Sequence, residues 1–148
     1  IRLMSDYTRS KNKDNMRKLI LILMLMLPLV SFSQNWADDS TLEDILNSQN
    51  AFGDDESSIV VVEFWAKFNE DNAFGDWDKL QDVQYVRVDI GKAAKAKKEY
   101  RVRMAPTIII FKDGVAEESF KAGLDLACPV DLDELQEAIE EVKLAGAF

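Results

Sequence analysis

Histidine is absent from the chain, and cysteine occurs once, at Cys128. The first absence removes the commonest general base and the commonest zinc ligand. With one cysteine there is no intramolecular disulfide and no Cys-rich metal centre. A lone thiol retains one chemistry, exchange through a mixed disulfide, and that chemistry needs a thiolate. Cys128 lies in Leu126-Ala127-Cys128-Pro129, ahead of a helix expected from Asp131. A helix N-terminus favours an anion by about 0.3–1 kcal/mol. The apolar neighbours Leu126, Ala127, Pro129 and Val130 and the carboxylates of Asp131, Asp133 and Glu134 oppose it. The balance favours a small buried hydrophobe over a reactive thiol.

A second polar cluster, Asn69-Glu70-Asp71-Asn72, carries oxygen ligands of the kind a hard cation takes. Its spacing does not match the EF-hand loop, because Gly75 is misplaced and the closing glutamate is missing. Carboxylates at the start of a helix ordinarily serve the cap and the dipole. No metal and no cofactor is expected. The net charge of −9, from 27 acidic and 18 basic residues, repels phosphate backbones and argues against a nucleic-acid partner.

These residues need elements to hold them. Ser40-Thr41-Leu42-Glu43 reads as a capping box opening a short helix with Leu42, Ile45 and Leu46 on one face. After the polar turn Phe52–Ser58 comes Ile59–Trp65, nearly continuous, β-branched and aromatic, the pattern of a strand buried on both faces. Glu70–Leu80 is read as a short helix, Val83–Asp89 as a strand and Lys92–Tyr100 as a helix. Thr107–Lys112 is a second buried strand, Asp113-Gly114 a hairpin turn, and Val115–Lys121 its antiparallel return. A final helix runs from Asp131 to about Leu144, with Leu132, Leu135, Ile139 and Val142 at helical spacing. The order is α-β-α-β-α-β-β-α. Right-handed crossovers make the first strands parallel, and the hairpin adds an antiparallel edge.

The N-terminal 33 residues are of another kind. Residues 1–15 are polar and begin with Ile; they are expected to be an extension upstream of a start at Met16, or part of a fragment. Met16-Arg17-Lys18 leads into the uncharged run Leu19–Val30, with small residues at Ser31 and Ser33. Twelve apolar residues are too few to cross a bilayer, which takes about 20. Residues 16–33 fit a secretory signal cut after Ser33, placing the product in the periplasm or outside the cell. A short membrane anchor is the rival reading. No cysteine follows the run, so a lipoprotein is not indicated. Residues 34–148 form one domain whose 12 basic and 25 acidic residues leave it at −13, with no stable membrane span of its own.

Three local motifs sharpen the reading of that domain. They are Val61-Val62-Glu63-Phe64-Trp65-Ala66, Met104-Ala105-Pro106-Thr107 and Phe111-Lys112-Asp113-Gly114. In this order and spacing they resemble the thioredoxin family: the strand leading into the active site, the cis-proline loop and the hairpin. The resemblance covers residues 36 to 145, with Arg87–Thr107 aligned without a gap. It implies an α/β fold, a central mixed sheet with flanking helices and a C-terminal helix. It also implies a cis Ala105–Pro106 bond, with the Ala105 backbone offered to extended peptides, and a buried acid at Glu63. The departure lies at the paired cysteines, whose positions are held by Asn69 and Asn72. Trp65–Arg87 is also several residues shorter than is usual in the family.

Dithiol chemistry needs a lowered-pKa thiolate and a resolving thiol, and asparagine supplies neither. Glu63, left without thiols to serve, is expected to pair with Arg87 on the adjacent strand, because a buried charge needs a partner. Phe68, Phe74 and Trp77 either add an apolar surface beside the site or pack the shortened segment, with core expected for at least two. No catalytic residue is assigned. The preferred function is a non-catalytic binding or structural module with a protein or peptide partner. The alternative is thiol–disulfide exchange through Cys128 alone.

Overall fold

The computed structural model describes residues 12–18, 20, 35–51 and 58–145. The chain divides into two units, Ile1–Phe32 and Ser33–Phe148. In the first, residues 12–18 and 20 are helical and exposed. The rest of the apolar run 19–30, the extension 1–11, and Ser31 and Ser33 lie outside the described residues. Among the described residues no helix is long and apolar enough to cross a membrane.

The second unit begins with a strand that the sequence does not announce, β1 (Asn35–Ala37). At three residues it is too short to show alternation. Helix α1 (Asp39–Ala51) follows. Its cap is Asp38 rather than Ser40: Thr41 donates to Asp38 Oδ1 from its backbone N–H at 2.8 Å and from its hydroxyl at 2.9 Å. Leu42 N–H donates to the Asp38 carbonyl, so the helix starts two residues earlier than a Ser40 cap allows. The backbone N–H of Thr41, more than any other group, holds the Asp38 carboxyl below its usual range.

Strand β2 (Ile59–Trp65) lies at the centre of the sheet, buried from Ile59 to Phe64. Strand β3 (Gln84–Asp89) runs parallel to β2 on one side and to β1 on the other. Helix α2 (Ala94–Glu99) has six residues, against nine expected for Lys92–Tyr100. It spans about 9 Å, against about 20 Å for a strand of six. It therefore cannot carry the chain back along the sheet. Strand β4 (Thr107–Lys112) starts from the end where β3 stops and pairs antiparallel with β2. Antiparallel pairing thus reaches the middle of the sheet, beyond the hairpin edge that the sequence suggests.

Asp113 and Gly114 both adopt left-handed backbone, at φ 50° and 80°, the two-residue turn whose twist suits a hairpin. Strand β5 (Val115–Lys121) returns along β4 and closes the order β1-β3-β2-β4-β5. Its register shifts beside Ile110 and Phe111, which face Glu118 and Ala116, so Glu117 is an extra residue on the edge strand.

Period-two alternation divides β2 between two cores. Val60, Val62 and Phe64 face Leu42, Leu46 and Ala96 from α1 and α2. Ile59 and Val61 face Leu135, Ile139 and Val142 from the last helix, α3 (Leu132–Leu144). Asp131 caps α3, its Oδ1 accepting from Glu134 N–H at 2.9 Å. At the far end Lys112 Nζ donates to the carbonyls of Val142, Lys143 and Ala145. The N-terminus of α2 has no cap of its own. Asp39 of α1 supplies one, accepting from the N–H groups of Lys95 at 3.1 Å and Ala96 at 2.7 Å.

The segment expected as a helix over Glu70–Leu80 holds no α-helix. It forms two 3-10 turns, Lys67–Asn72 and Trp77–Lys79. Asn69 (φ −128°, ψ 29°) interrupts the first. Asn, Asp and Gly at positions 69, 71, 72 and 75 favour turns over helix by bonding the backbone locally or freeing it.

The cap assignment is testable. Asp38→Ala should lower the urea denaturation midpoint clearly, whereas Ser40→Ala should leave it nearly unchanged. A larger loss at Ser40 would return the cap to that residue.

Candidate functional site

Glu63 and Arg87 stand opposite each other on β2 and β3. Glu63 is fully buried and Arg87 nearly so. The guanidinium donates to Glu63 Oε2 from Nε at 3.0 Å and from NH2 at 2.8 Å. The Tyr85 hydroxyl, two residues before Arg87 on the same strand face, donates to the same oxygen. The other carboxylate oxygen accepts from Phe74 N–H at 2.9 Å, and the Phe74 carbonyl accepts from Arg87 NH2 at 3.1 Å. Every side of the carboxylate is thus engaged. Burial first, and the neighbouring Glu63 charge second, hold the Tyr85 phenol far above its usual range, so it stays a donor. Arg87 also lies 5.7 Å from the centroid of the Trp36 ring, which meets Trp65 edge-on at 5.0 Å.

Tyr85 and the Phe74 backbone are absent from the sequence reading. Tyr85 was within reach of it: position i+2 on a strand shares a face, and diagonal cross-strand neighbours interact. The Phe74 contact carries no sequence signal, because it is made by main chain.

Beyond β2 the chain turns through Ala66 into the segment 67–72. Asn69 Nδ2 donates to the Ala105 carbonyl and to the Leu126 carbonyl, both at 2.8 Å. Asn69 Oδ1 accepts from Asn72 Nδ2 at 2.7 Å. One side-chain amide therefore joins three loops: its own, the loop of the Ala105–Pro106 bond, which is cis, and the loop after β5. Ala105 is buried, and the carbonyl that the resemblance would offer to a peptide is already taken. Glu70, another residue of the possible cation cluster, pairs with Lys67 at 2.9 Å. Phe74 joins the core and Trp77 packs half-buried on it, while Phe68 is 75% exposed.

Cys128 is half-buried against the α3 side of the core and donates its S–H to the Val130 carbonyl at 3.3 Å. Burial is the main cause that pushes its thiol up, and the nearby Glu63 charge adds to it. The opposing carboxylate is thus Glu63, across the core, rather than Asp131, Asp133 or Glu134 in the following helix.

The sequence matches no family model and no curated protein. Solved structures match the fold. Thioredoxin f from spinach chloroplast is 18% identical, with 72% of this chain and 90% of that one covered at a TM-score of 0.56. The reduced Schistosoma mansoni thioredoxin pre-protein is 21% identical, covering 74% and 98% at 0.56. A mutant thioredoxin from Halobacterium salinarum NRC-1 is 19% identical, covering 75% and 91% at 0.53. The chain has the thioredoxin fold: an α/β mixed five-stranded sheet with flanking helices and a C-terminal helix. With one cysteine it has no Cys-x-x-Cys pair.

Arg87→Met should lower stability by about 3–5 kcal/mol, because it strands a buried carboxylate. Replacing both partners, in Glu63→Gln/Arg87→Met, should cost less than Arg87→Met alone. Chemical denaturation of both variants checks this, and an unchanged midpoint for Arg87→Met would show that the pair carries no stability.

Proposed function

We propose that the chain is an exported, non-catalytic module on the thioredoxin fold that serves by binding a protein or peptide partner or by supporting an assembly. The observation that carries this reading is the Asn69 amide. It occupies the position matched to the first family thiol and spends both N–H groups on the Ala105 and Leu126 carbonyls. A thiol there would be a weak single donor poised to react; the amide is an unreactive tie. Around this closed site Phe68 and Leu124 stand 75% and 98% exposed, and they offer apolar side chains to a partner. Export is supported by Arg17-Lys18, the uncharged run 19–30 and the small residues Ser31 and Ser33.

Cys128 does not favour the single-thiol alternative. Its folded pKa lies above the ordinary thiol value, so at neutral pH the folded chain holds less thiolate than the denatured chain. Alkylation by iodoacetamide should be slower in the folded protein, and the gap should close as pH rises through the folded pKa.

Insulin reduction in dithiothreitol is the direct test, and no acceleration over the uncatalysed rate is expected. Turnover well above that control, or a trapped mixed disulfide at Cys128, would replace this reading with the single-thiol one. Export is tested separately by N-terminal sequencing of the chain from the cell envelope, where Gln34 should come first. Retention in the cytoplasm with residues 16–33 intact would remove export and leave the non-catalytic reading standing.

A further inference from the structure

Six of the 12 basic residues after Ser33 fall between Lys92 and Arg103, a stretch with one acid, Glu99. The remainder of that domain holds six basic and 24 acidic residues. Four of the six, Lys97, Lys98, Arg101 and Arg103, line a single open cleft of about 400 Å³ over Ile90 and Ala94. All four are exposed. Among the described residues none of them forms an ion pair, whereas Lys67, Lys79, Arg87, Lys95 and Lys143 each reach a carboxylate. Four of the cations without an ion pair among the described residues are thus gathered at one place on an acidic protein, while Lys92 and Lys121, also without one, stand outside the cleft.

Helix electrostatics account for part of this. Lys97 and Lys98 sit in the last turn of α2, where positive charge suits the dipole. Arg101 and Arg103 lie beyond the helix. Arg101 also occupies the closing position of the helix: its N–H donates to the Lys98 carbonyl at 3.3 Å, and Val102 N–H donates to the Lys97 carbonyl at 2.9 Å. Its φ is 54°. This is the left-handed position that glycine fills most readily, and any side chain makes it less favourable. Arginine there is less favourable to folding than glycine, as are the side chains at the other left-handed positions, Asp82, Asp113 and Leu126.

We propose that this cleft binds an acidic segment of a partner polypeptide, its carboxylates taken by Arg101, Arg103, Lys97 and Lys98 and its apolar side chains resting on Ile90 and Ala94. The surface shares no residue with the Asn69 cluster. A compact phosphate fits it less well. The N–H groups of Arg101 and Val102, which could cradle an oxyanion, are consumed in closing the helix. An extended acidic chain spreads its charge along the cleft, and a guanidinium fork donates to a carboxylate through two N–H bonds at once.

The test uses the full chain and a fluorescein-labelled peptide of alternating glutamate and leucine, read by anisotropy. Binding is expected at low salt and should weaken steeply as salt is raised. Lys97→Glu/Arg103→Glu should reduce affinity by about tenfold or more, whereas Lys121→Glu on β5 should leave it unchanged. Arg101→Gly should weaken binding and raise the melting temperature, a combination that a structural arginine would not give; it also carries the test if the double reversal fails to fold. The proposal is overturned if the peptide does not bind at low salt, or if Lys121→Glu weakens binding as much as the cleft variants. It is also overturned if pyrophosphate or phosphatidylglycerol-containing vesicles bind more tightly than the peptide and displace it.

Discussion

The buried carboxylate of Glu63 is the constraint from which much of this structure follows. At zero exposure an ionised group must be surrounded by donors or it destabilises the fold by several kcal/mol. The donors come from two places, Tyr85 and Arg87 on β3 and the backbone of Phe74. By engaging both the N–H and, through Arg87, the carbonyl of Phe74, the cluster meets main-chain hydrogen-bonding needs that a helix would otherwise meet. The segment between β2 and β3 is thereby held against the sheet although it has no regular helix of its own.

Asn69 lies in the same segment and is held by bonds of its own. A side-chain amide has two N–H donors and an acceptor oxygen, and Asn69 uses all three. Bonds to two carbonyls from loops far apart in sequence make it a joint between them. Within the thioredoxin fold this side chain has a structural role. Cys128, two residues past the Leu126 carbonyl that Asn69 holds, packs into the adjoining core as a neutral thiol.

Much of this was legible in the sequence where the signal is local and periodic. The β2 and β4 runs, the Asp113-Gly114 turn and the Asp131 cap of α3 each follow from a few adjacent residues. The opposition of Glu63 and Arg87 follows from the strand register that the resemblance implies. What escaped was non-local or carried by main chain. Asp39 caps a helix more than fifty residues away, and no window around α2 contains that information. Ser40 satisfies the capping pattern, yet Asp38 wins because Thr41 offers it two donors. The 3-10 turns replace the expected helix where Asn69, Asp71, Asn72 and Gly75 favour turns and the Phe74 main chain is bonded from outside its own segment.

The extra residue at Glu117 has a bearing on how this molecule meets its own kind. An edge strand with a free row of N–H and C=O groups invites another strand to join it, and copies that join in series lead to fibrils. Here the ladder is interrupted where Glu117 is inserted, and Glu117 and Glu118 stand exposed beside each other. Two such edges brought together would mismatch in spacing and set carboxylate against carboxylate. The opposite edge, β1, is three residues long and offers little to extend. Sheet growth is discouraged at both ends, so the chain gains resistance to self-templating at high concentration and forgoes recruitment by strand addition.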